Sequence, residues 1–244
     1  MIPHDMDVVI LCGGQGTRLR SAIGESQKVM AEVSGQPFLD ILLEYLKDQG
    51  FQRIILCTGF KAQAVEAYYR EQKKFPQLTL EFSQENSPLG TGGALKNAKN
   101  LIKSNPFIVL NGDCFCRLDY KRFVDFHLSR EALATIVVTQ VPQNKDFGNI
   151  TLDQSSRIIA FQEKGESSLN CYVSTGIYCL SGEKAFDRMP SPSRFSLEYD
   201  YFPYLVDHGF YGYRVEKSFM DIGTPERYQK AQHKFLKKDK KIED

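Results

Sequence analysis

Short apolar segments alternate with amphipathic segments through the first 145 residues of the chain. The segments VVILC (8–12), RIILCT (53–58) and PFIVLNGD (106–113) have the length and composition of buried strands. Between them, PFLDILLEYLKDQG (37–50) and residues 61–73 place apolar side chains at helical spacing. Because strand–helix–strand units cross over with one hand, this alternation predicts a largely parallel sheet flanked by helices.

The pattern changes after residue 145. Strands over 149–153, 158–164 and 174–180 follow closely, with polar turns between them, before a helical stretch at 197–208 and a helix from Pro225. This spacing is typical of antiparallel strands. No Pro/Gly-rich or Ser-rich linker divides the two parts, so we predict a single α/β domain over 1–244 whose second half is more antiparallel.

Charge and hydropathy exclude several classes of partner. The 244 residues carry a formal net charge of +1, which gives no bulk attraction to nucleic acid or to an anionic membrane. The first apolar run is too short for a signal peptide, and no window approaches the ~20 apolar residues of a membrane span. Six cysteines match no zinc or redox spacing. We expect a cytoplasmic protein with no nucleic-acid or membrane partner.

The stretch VVILCGGQGTRLR (8–20) ends a strand in three glycines and an arginine. A Walker A loop would need Gly-Lys-Ser/Thr where Gly16-Thr17-Arg18 stands, and a dinucleotide fingerprint would need a third glycine at Leu19. Both common motifs therefore fail. A glycine loop after the first strand can still bring backbone N–H groups to phosphate oxygens, and the Arg18 guanidinium suits the same anions. The alternative is a tight turn with an exposed arginine.

A second cation follows ten residues later, at Lys28, in a polar loop before the next apolar helix. It could close over the same phosphates, or it could simply be a solvated side chain.

These residues fall within a set of motifs that resembles the sugar-1-phosphate nucleotidyltransferases. The motifs follow the family's order along the chain: LCGGQGTRLR with QKVM (11–20 and 27–30), QENSPLGTGGAL (84–95), VLNGD (109–113), FQEK (161–164), STGIYCL (174–180) and FMDIGTPERY (219–228). The resemblance implies a Rossmann-like mixed sheet, with residues 1–145 binding mainly nucleotide and 146–244 mainly sugar. The residues of these motifs are most similar to those of D-glycero-α-D-manno-heptose 1-phosphate guanylyltransferases and, next, to those of mannose-1-phosphate guanylyltransferases.

The reaction implied by the resemblance transfers a nucleoside monophosphate from an NTP, with GTP favoured, to a sugar 1-phosphate and releases pyrophosphate. Such a reaction needs positioning and charge neutralisation more than a nucleophile. Arg18, Lys28 and Asp113 are the catalytic residues that the resemblance implies, and Asp113 and Asp221 match the pair that holds Mg²⁺. Each aspartate follows a short apolar run, and carboxylate oxygens are ligands that Mg²⁺ prefers. Taken singly, each could be a turn or cap residue.

The same resemblance assigns the substrate contacts. Gln84 would read the edge of the base and Gly90 would let the base approach the backbone, alongside a loop that comprises Leu11, Gly13, Gly14, Gly16, Thr17 and Arg18. The sugar phosphate would contact Gly148, Glu163, Lys164 and Thr175. For Gln84 and the Glu163–Lys164 pair, ordinary exposed polar residues are the alternative.

One departure from the family pattern lies in the segment QKVM (27–30). Gln27 and Val29 replace the two prolines that flank the family's lysine, so we expect a mobile loop in which Lys28 is ordered mainly by ligand.

Three other functions stay open: the same chemistry on another NTP or sugar, a non-catalytic regulator that binds an NDP-sugar, and a dinucleotide-dependent oxidoreductase. Keeping both cations and both aspartates argues against the regulator, and the missing third glycine argues against the oxidoreductase. Family members commonly assemble, so a homo-oligomer is also expected.

Overall fold

A computed structural model describes residues 3–140, 148–162, 172–216 and 219–236. The strands within these ranges, numbered along the chain, are β1 Asp7–Leu11, β2 Glu32–Val33, β3 Gln36–Pro37, β4 Arg53–Thr58, β5 Thr79–Gln84, β6 Phe107–Asn111, β7 Cys114–Phe115, β8 Ala134–Thr139, β9 Asn149–Leu152, β10 Ile158–Gln162, β11 Val173–Leu180, β12 Phe210–Arg214 and β13 Met220–Asp221.

The α-helices in the same ranges are α1 Arg20–Ile23, α2 Phe38–Asp48, α3 Ala62–Gln72, α4 Gly90–Asn97, α5 Tyr120–Ser129, α6 Gly182–Asp187 and α7 Pro225–Leu236. Pro37 immediately precedes α2, where its fixed φ and missing N–H cost nothing, and the Asp119 side chain caps α5 by accepting from the Arg122 N–H at 3.0 Å. No helix in the described part of the chain is both long enough and apolar enough to cross a membrane.

Seven of the described strands form one sheet in the order β12-β8-β11-β6-β1-β4-β5. β1 pairs in parallel with β4 and β6, β4 pairs in parallel with β5, and β12 with β8. Only β11 runs antiparallel to its neighbours β6 and β8 in this sheet. The predicted α/β class with a mostly parallel mixed sheet is therefore confirmed. β11 comes from the second half of the chain, so that one sheet includes strands of both halves.

The core lies on both faces of this sheet because successive residues of its central strands point in opposite directions. Val8 and Ile10 of β1 belong to a buried cluster that includes side chains of α2, α3 and α5. Val9 belongs to the opposite cluster, with side chains of α4, α6 and the 197–205 segment. Burial on both faces explains why β1 reads as a continuous apolar run.

One expectation for the second half needs correction. The predicted helix at 197–208 is a π-helical turn, Leu197–Tyr201, followed by a 3₁₀ turn, Phe202–Leu205. Pro203 falls inside this stretch and has no N–H to donate, which prevents a continuous α-helix. The second half is more antiparallel than the first, as predicted: the β9–β10 ribbon and β11 pair antiparallel, while β12 is parallel to its neighbour β8.

Candidate functional site

A cleft of about 570 Å³ opens where β1 and β6 end, at the carboxyl edge of the sheet. Its volume is in the range of small-molecule sites, and this edge is where open α/β sheets bind ligands. Nine of the residues predicted from the sequence line it: Leu11, Gly13, Gly14, Gly16, Thr17, Arg18, Lys28, Gly90 and Asp113.

The glycine loop is packed directly against Lys28. Gly16 has a φ of 58°, in the left-handed region that favours glycine. A Cβ at Gly16 would lie 3.1 Å from the Lys28 Cβ, so a larger residue would push the loop away from this lysine. The absence of a side chain at Gly16 therefore lets Arg18 and Lys28 line the same cleft.

Lys28 and its loop make contacts within the protein, while the expectation that the loop is mobile until a ligand binds stays a prediction. The Gln27 side chain is buried and donates to the Cys12 carbonyl, while its Oε1 accepts from the Val29 N–H at 2.7 Å. The Lys28 ammonium forms an ion pair with the Asp113 carboxylate. Gln27 thus uses two hydrogen bonds to restrict a loop that family members restrict with proline.

Asp113 and Asp221 are brought together by a short antiparallel ribbon. β7 begins one residue after Asp113 and pairs with β13, with Cys114 opposite Asp221. The Ile222 N–H also donates to the Asp113 carbonyl at 3.0 Å. Residues from opposite halves of the chain therefore share one edge of the cleft region, although only Asp113 of the two lines the cleft itself.

The Asp221 carboxylate is oriented by two donors. Its Oδ1 accepts from the Gly223 N–H at 2.9 Å and from Arg227 Nη1 at 3.1 Å. The side chain of Asp221 is mostly buried, at 10% exposure. None of the described residues donates a hydrogen bond to Asp221 Oδ2, so this oxygen is available to a ligand.

The charges at Asp113, Asp221 and Lys28 shift the pKa values of nearby groups. Burial alone would raise the pKa of Asp113, but the Lys28 ammonium outweighs burial and holds that pKa below its usual value. Burial, followed by the charges of Asp113 and Asp221, raises the pKa of the Cys114 thiol. The thiol therefore stays neutral beside two carboxylates. This oxygen-rich set, closed on one side by a lysine, fits a divalent cation with bound phosphates.

Other predicted contacts are not brought to the cleft. Gln84 is exposed at the end of β5 and does not line the cleft. The Thr175 side chain is fully buried, and its hydroxyl donates to the Val137 carbonyl at 3.0 Å, which directs it into the sheet. Gly148 is described but lies outside the cleft lining, and Glu163 and Lys164 lie outside the described residues.

The structure adds cleft residues that sequence reasoning missed: Glu85, Thr91, Asn111 and Arg194. Asn111 ends β6 in the VLNGD motif, and its Oδ1 is buried without a partner among the described residues. That position, directly after an apolar run, was a detectable signal. Nothing in the sequence pattern connects Arg194 to the nucleotide half, because it arrives through the packing of residues 193–196 against α4.

A parallel sheet whose carboxyl edge carries a glycine loop, two cations and two carboxylates is typical of α/β proteins that bind phosphorylated ligands. The sequence matches the family described as "Nucleotidyl transferase" over residues 7–238. The chain belongs to this enzyme family, and the membership predicted from its motifs is confirmed.

Named relatives are similar along nearly the whole chain. D-glycero-alpha-D-manno-heptose 1-phosphate guanylyltransferase of Aneurinibacillus thermoaerophilus is 33% identical over 228 residues, which cover 93% of this chain and 97% of the relative. Mannose-1-phosphate guanylyltransferase of Mycobacterium tuberculosis is 33% identical over 231 residues, covering 93% of this chain and 64% of that protein.

Two solved structures are also similar along nearly the whole chain. The crystal structure of HddC from Yersinia pseudotuberculosis superimposes with a TM-score of 0.83 at 40% identity, covering 94% of this chain and 99% of that one. A structure of HddC complexed with GMP-PN has a TM-score of 0.80 at 39% identity, with the same coverage.

Proposed function

We propose that this enzyme transfers a nucleoside monophosphate from a nucleoside triphosphate to a sugar 1-phosphate and releases pyrophosphate. The preferred pair is GTP with D-glycero-α-D-manno-heptose 1-phosphate. One observation carries the proposal: Arg18, Lys28 and Asp113 line one cleft beside Asp221, at the edge of a sheet of this family. The similarity to guanylyltransferases supports the choice of nucleotide.

In this reaction an oxygen of the sugar phosphate attacks the α-phosphorus of the NTP, and the bond to the β-phosphate bridging oxygen breaks. The electron pair leaves with pyrophosphate. Both reactants are anions, so the protein must hold them in line and neutralise charge. The glycine-loop N–H groups and Arg18 would bind the departing phosphates, and Lys28 would neutralise charge that develops on them.

Asp113 and Asp221 would hold Mg²⁺. The ion would supply positive charge to the phosphate oxygens, and the oxygen donors at this edge suit it. Without substrate, the Lys28 ammonium forms an ion pair with one oxygen of the Asp113 carboxylate. We infer that Lys28 turns from this carboxylate toward phosphate when the ligands enter.

The sugar phosphate is assigned to Gly148, Glu163 and Lys164 on the family resemblance, whereas Thr175, whose buried hydroxyl donates to the Val137 carbonyl, is not retained in this assignment. A mannose-1-phosphate guanylyltransferase is the second candidate because a relative of that activity is equally identical. Heptose is favoured because the residues of the motifs are most similar to those of the heptose 1-phosphate guanylyltransferases.

The test of the substrates is pyrophosphate release with four NTPs and with heptose, mannose and glucose 1-phosphates. GTP with the heptose phosphate should give the highest kcat/KM. GTP ranking among the poorest nucleotides would contradict the nucleotide assignment, and a preference for mannose 1-phosphate would support the second candidate. NDP-sugar binding without pyrophosphate release from any pair would indicate a regulator.

Replacing Asp113 tests the catalytic and metal assignments. We expect Asp113→Ala to lower kcat by at least about a hundredfold, because one ligand of the cation is lost. Chelation by EDTA should stop the wild-type reaction, and Mg²⁺ should restore it. Asp125→Ala is the matched control, since Asp125 pairs with Lys121 on the surface of α5. Normal activity of a folded Asp113→Ala protein would refute the role of Asp113.

A further inference from the structure

The two edges of the seven-stranded sheet differ in how they are covered. At β12, the Gly212 N–H donates to the Ser156 carbonyl at 2.9 Å, and Arg157 forms a bridge with Tyr211. The turn between β9 and β10 therefore lies against this edge. At β5, the described residues supply only one neighbouring strand, β4. An uncovered edge strand presents a row of unpaired backbone groups to other chains.

The hydrogen bonds of β5 show which of its backbone groups face outward. At its start, the Thr79 N–H donates to the Gln52 carbonyl at 2.7 Å, on the β4 side. Just past its end, the Glu85 N–H donates to the Thr58 carbonyl at 2.8 Å, also on that side. A residue in a parallel strand turns its N–H and C=O to the same side, and the side alternates along the strand. The groups that point away from β4 therefore belong to Leu80, Phe82 and Gln84.

β5 lacks the features that usually protect an open edge. The strand spans Thr79–Gln84 in an unbroken register with β4, and its sequence TLEFSQ contains neither proline nor lysine. Leu80 and Phe82 pack against the cluster that includes α3, but both stay half-buried. With Tyr69 and Phe75 they line a depression of about 240 Å³. That volume is below the range of small-molecule sites and suits a single apolar side chain.

This edge is complementary to a second copy of itself. A two-fold axis at Phe82 pairs Phe82 with its own copy and Leu80 with Gln84, in an antiparallel ladder of about six hydrogen bonds. In this register Glu81, the one charged residue of the strand, lies opposite Ser83 rather than opposite its own copy. Like charges therefore do not meet between the two strands, and apolar side chains share one face.

The surroundings of β5 are compatible with this pairing. Asn97 Nδ2 donates to the Gln84 carbonyl at 3.3 Å, and a carbonyl oxygen has a second lone pair for the ladder. The Arg70 guanidinium lies over the Phe82 ring, where Glu66 balances its charge at 2.7 Å. The formal net charge of +1 gives little repulsion between whole copies.

We propose that two copies of this chain associate through β5, antiparallel and centred on Phe82, so that one sheet continues through both. Each copy places its Phe82 ring against the apolar depression of the other. Because the two sheets run in opposite directions, the two candidate clefts lie at opposite edges of the shared sheet. The contact is small, which corresponds to a dissociation constant in the micromolar range. This association does not depend on the proposed reaction.

The first test measures assembly by analytical ultracentrifugation between about 1 and 100 µM. Wild-type protein should shift across this range from the monomer mass of 27.8 kDa to twice that mass. Phe82→Pro removes the ring and an outward N–H but none of the N–H groups that bond to β4, a position where strands tolerate proline. It should keep its circular dichroism and dimerise at least about tenfold more weakly. Leu128→Ser, which removes an exposed apolar side chain of α5, should dimerise like wild type.

The second test reads the register directly. In Phe82→Cys the two introduced thiols would face each other across the two-fold axis, so a short bismaleimide should join them into a covalent dimer. Leu128→Cys is the control, because it places an equally new thiol on the exposed surface of α5. The wild-type chain gives the background from its own cysteines. Phe82→Cys should cross-link at least about tenfold faster than Leu128→Cys, as expected for a high effective concentration at the axis.

The outcomes separate this interface from any other. Wild-type protein that stays monomeric at the highest concentration would overturn the inference. A dimer that a folded Phe82→Pro leaves unchanged would overturn it too, because the contact would then lie elsewhere. If Phe82→Pro does not fold, the cross-linking comparison decides: equal rates for Phe82→Cys and Leu128→Cys would refute pairing through β5.

Discussion

At the residue scale, His127 shows how strongly burial sets a protonation state in this fold. Ser181 Oγ donates to the Ala132 carbonyl at 2.6 Å, so it must accept from His127 Nε2 at 3.0 Å. Nδ1 is then left to accept from the Thr135 hydroxyl at 2.8 Å. The neutral ring with its proton on Nε2 satisfies both nitrogens, and burial lowers the pKa of His127 from 6.5 to about 4.

This depressed pKa predicts loss of stability in mild acid. The unfolded chain takes up the proton near pH 6.5 and the folded protein only near pH 4, so stability is present above 6.5 and falls between these values. The contribution lost between pH 7 and pH 5 is about 2 kcal/mol. Urea unfolding of wild type and His127→Gln measures it: the variant should lack this part of the pH dependence, and identical slopes would contradict the assignment.

The sequence carries least information about single positions at strand ends. The family resemblance assigns base reading to Gln84, which stays a prediction; Gln84 lies outside the cleft lining and its neighbour Glu85 lies within it. β5 is the edge strand, and its residues are half-buried with no clean alternation, so the hydrophobic pattern could not decide which of two successive polar residues faces inward. The Gln27 hydrogen bonds could not be predicted either, because the sequence does not show which polar groups meet in the folded protein.

At the element scale, the glycine-rich start of α4 matters for packing. The N–H groups of Gly92 and Gly93 both donate to the Phe195 carbonyl, at 3.0 and 3.2 Å, and the Phe195 N–H donates to the Leu89 carbonyl at 3.0 Å. Two of the first four N–H groups of this helix therefore donate to the protein itself. Gly90 also lies close to Phe195, since a Cβ there would lie 2.5 Å from the Phe195 carbonyl oxygen.

Gly93→Ala should consequently destabilise the protein. A Cβ at Gly93 would lie 2.1 Å from the Ser193 carbonyl oxygen, and the backbone must move to admit it. Although alanine is the better helix former, we expect a net loss of about 1–3 kcal/mol in the free energy of urea unfolding. Gly14→Ala is the control, because a Cβ there meets no atom within 4 Å, and its effect should stay within about 0.5 kcal/mol. Equal stabilities of the two variants would show that residues 193–196 can move away from α4 without a cost in free energy.

Elements with strong periodicity were predicted well. β4 matches its predicted bounds, 53–58, and α3, at Ala62–Gln72, lies within the predicted 61–73. The helix that the sequence predicts at 197–208 forms only in part. Ser196 starts this turn by accepting from the Glu198 N–H at 3.1 Å, but Pro203 changes how it continues.

At the scale of the whole molecule, the position of β11 joins the two halves. β11 lies between β6 and β8, so the second half of the chain supplies a central strand to a sheet begun by the first. Apolar runs predicted that such strands exist, but they carry no information about which strand neighbours which. The family resemblance supplied the mixed sheet that periodicity alone could not.

We predict that β6 and β11 unfold together. Hydrogen exchange followed by mass spectrometry should give both strands the same opening free energy, because neither can separate without breaking the central sheet. The β9–β10 ribbon lies outside that sheet and should exchange sooner. Much faster exchange of β11 than of β6 would mean that the second half opens independently.

The ribbon of β7 and β13 also has a consequence for protein synthesis. A ribosome releases the amino-terminal part of a chain first, so Asp113 and the glycine loop emerge well before Asp221. During that interval an unfinished chain has the proposed phosphate cradle but only one of the two proposed metal ligands. A nascent chain that has not yet reached residue 221 would lack half of the proposed metal pair and would not act on cellular nucleotides, so the proposed catalytic centre would mature only once strands of both halves are present.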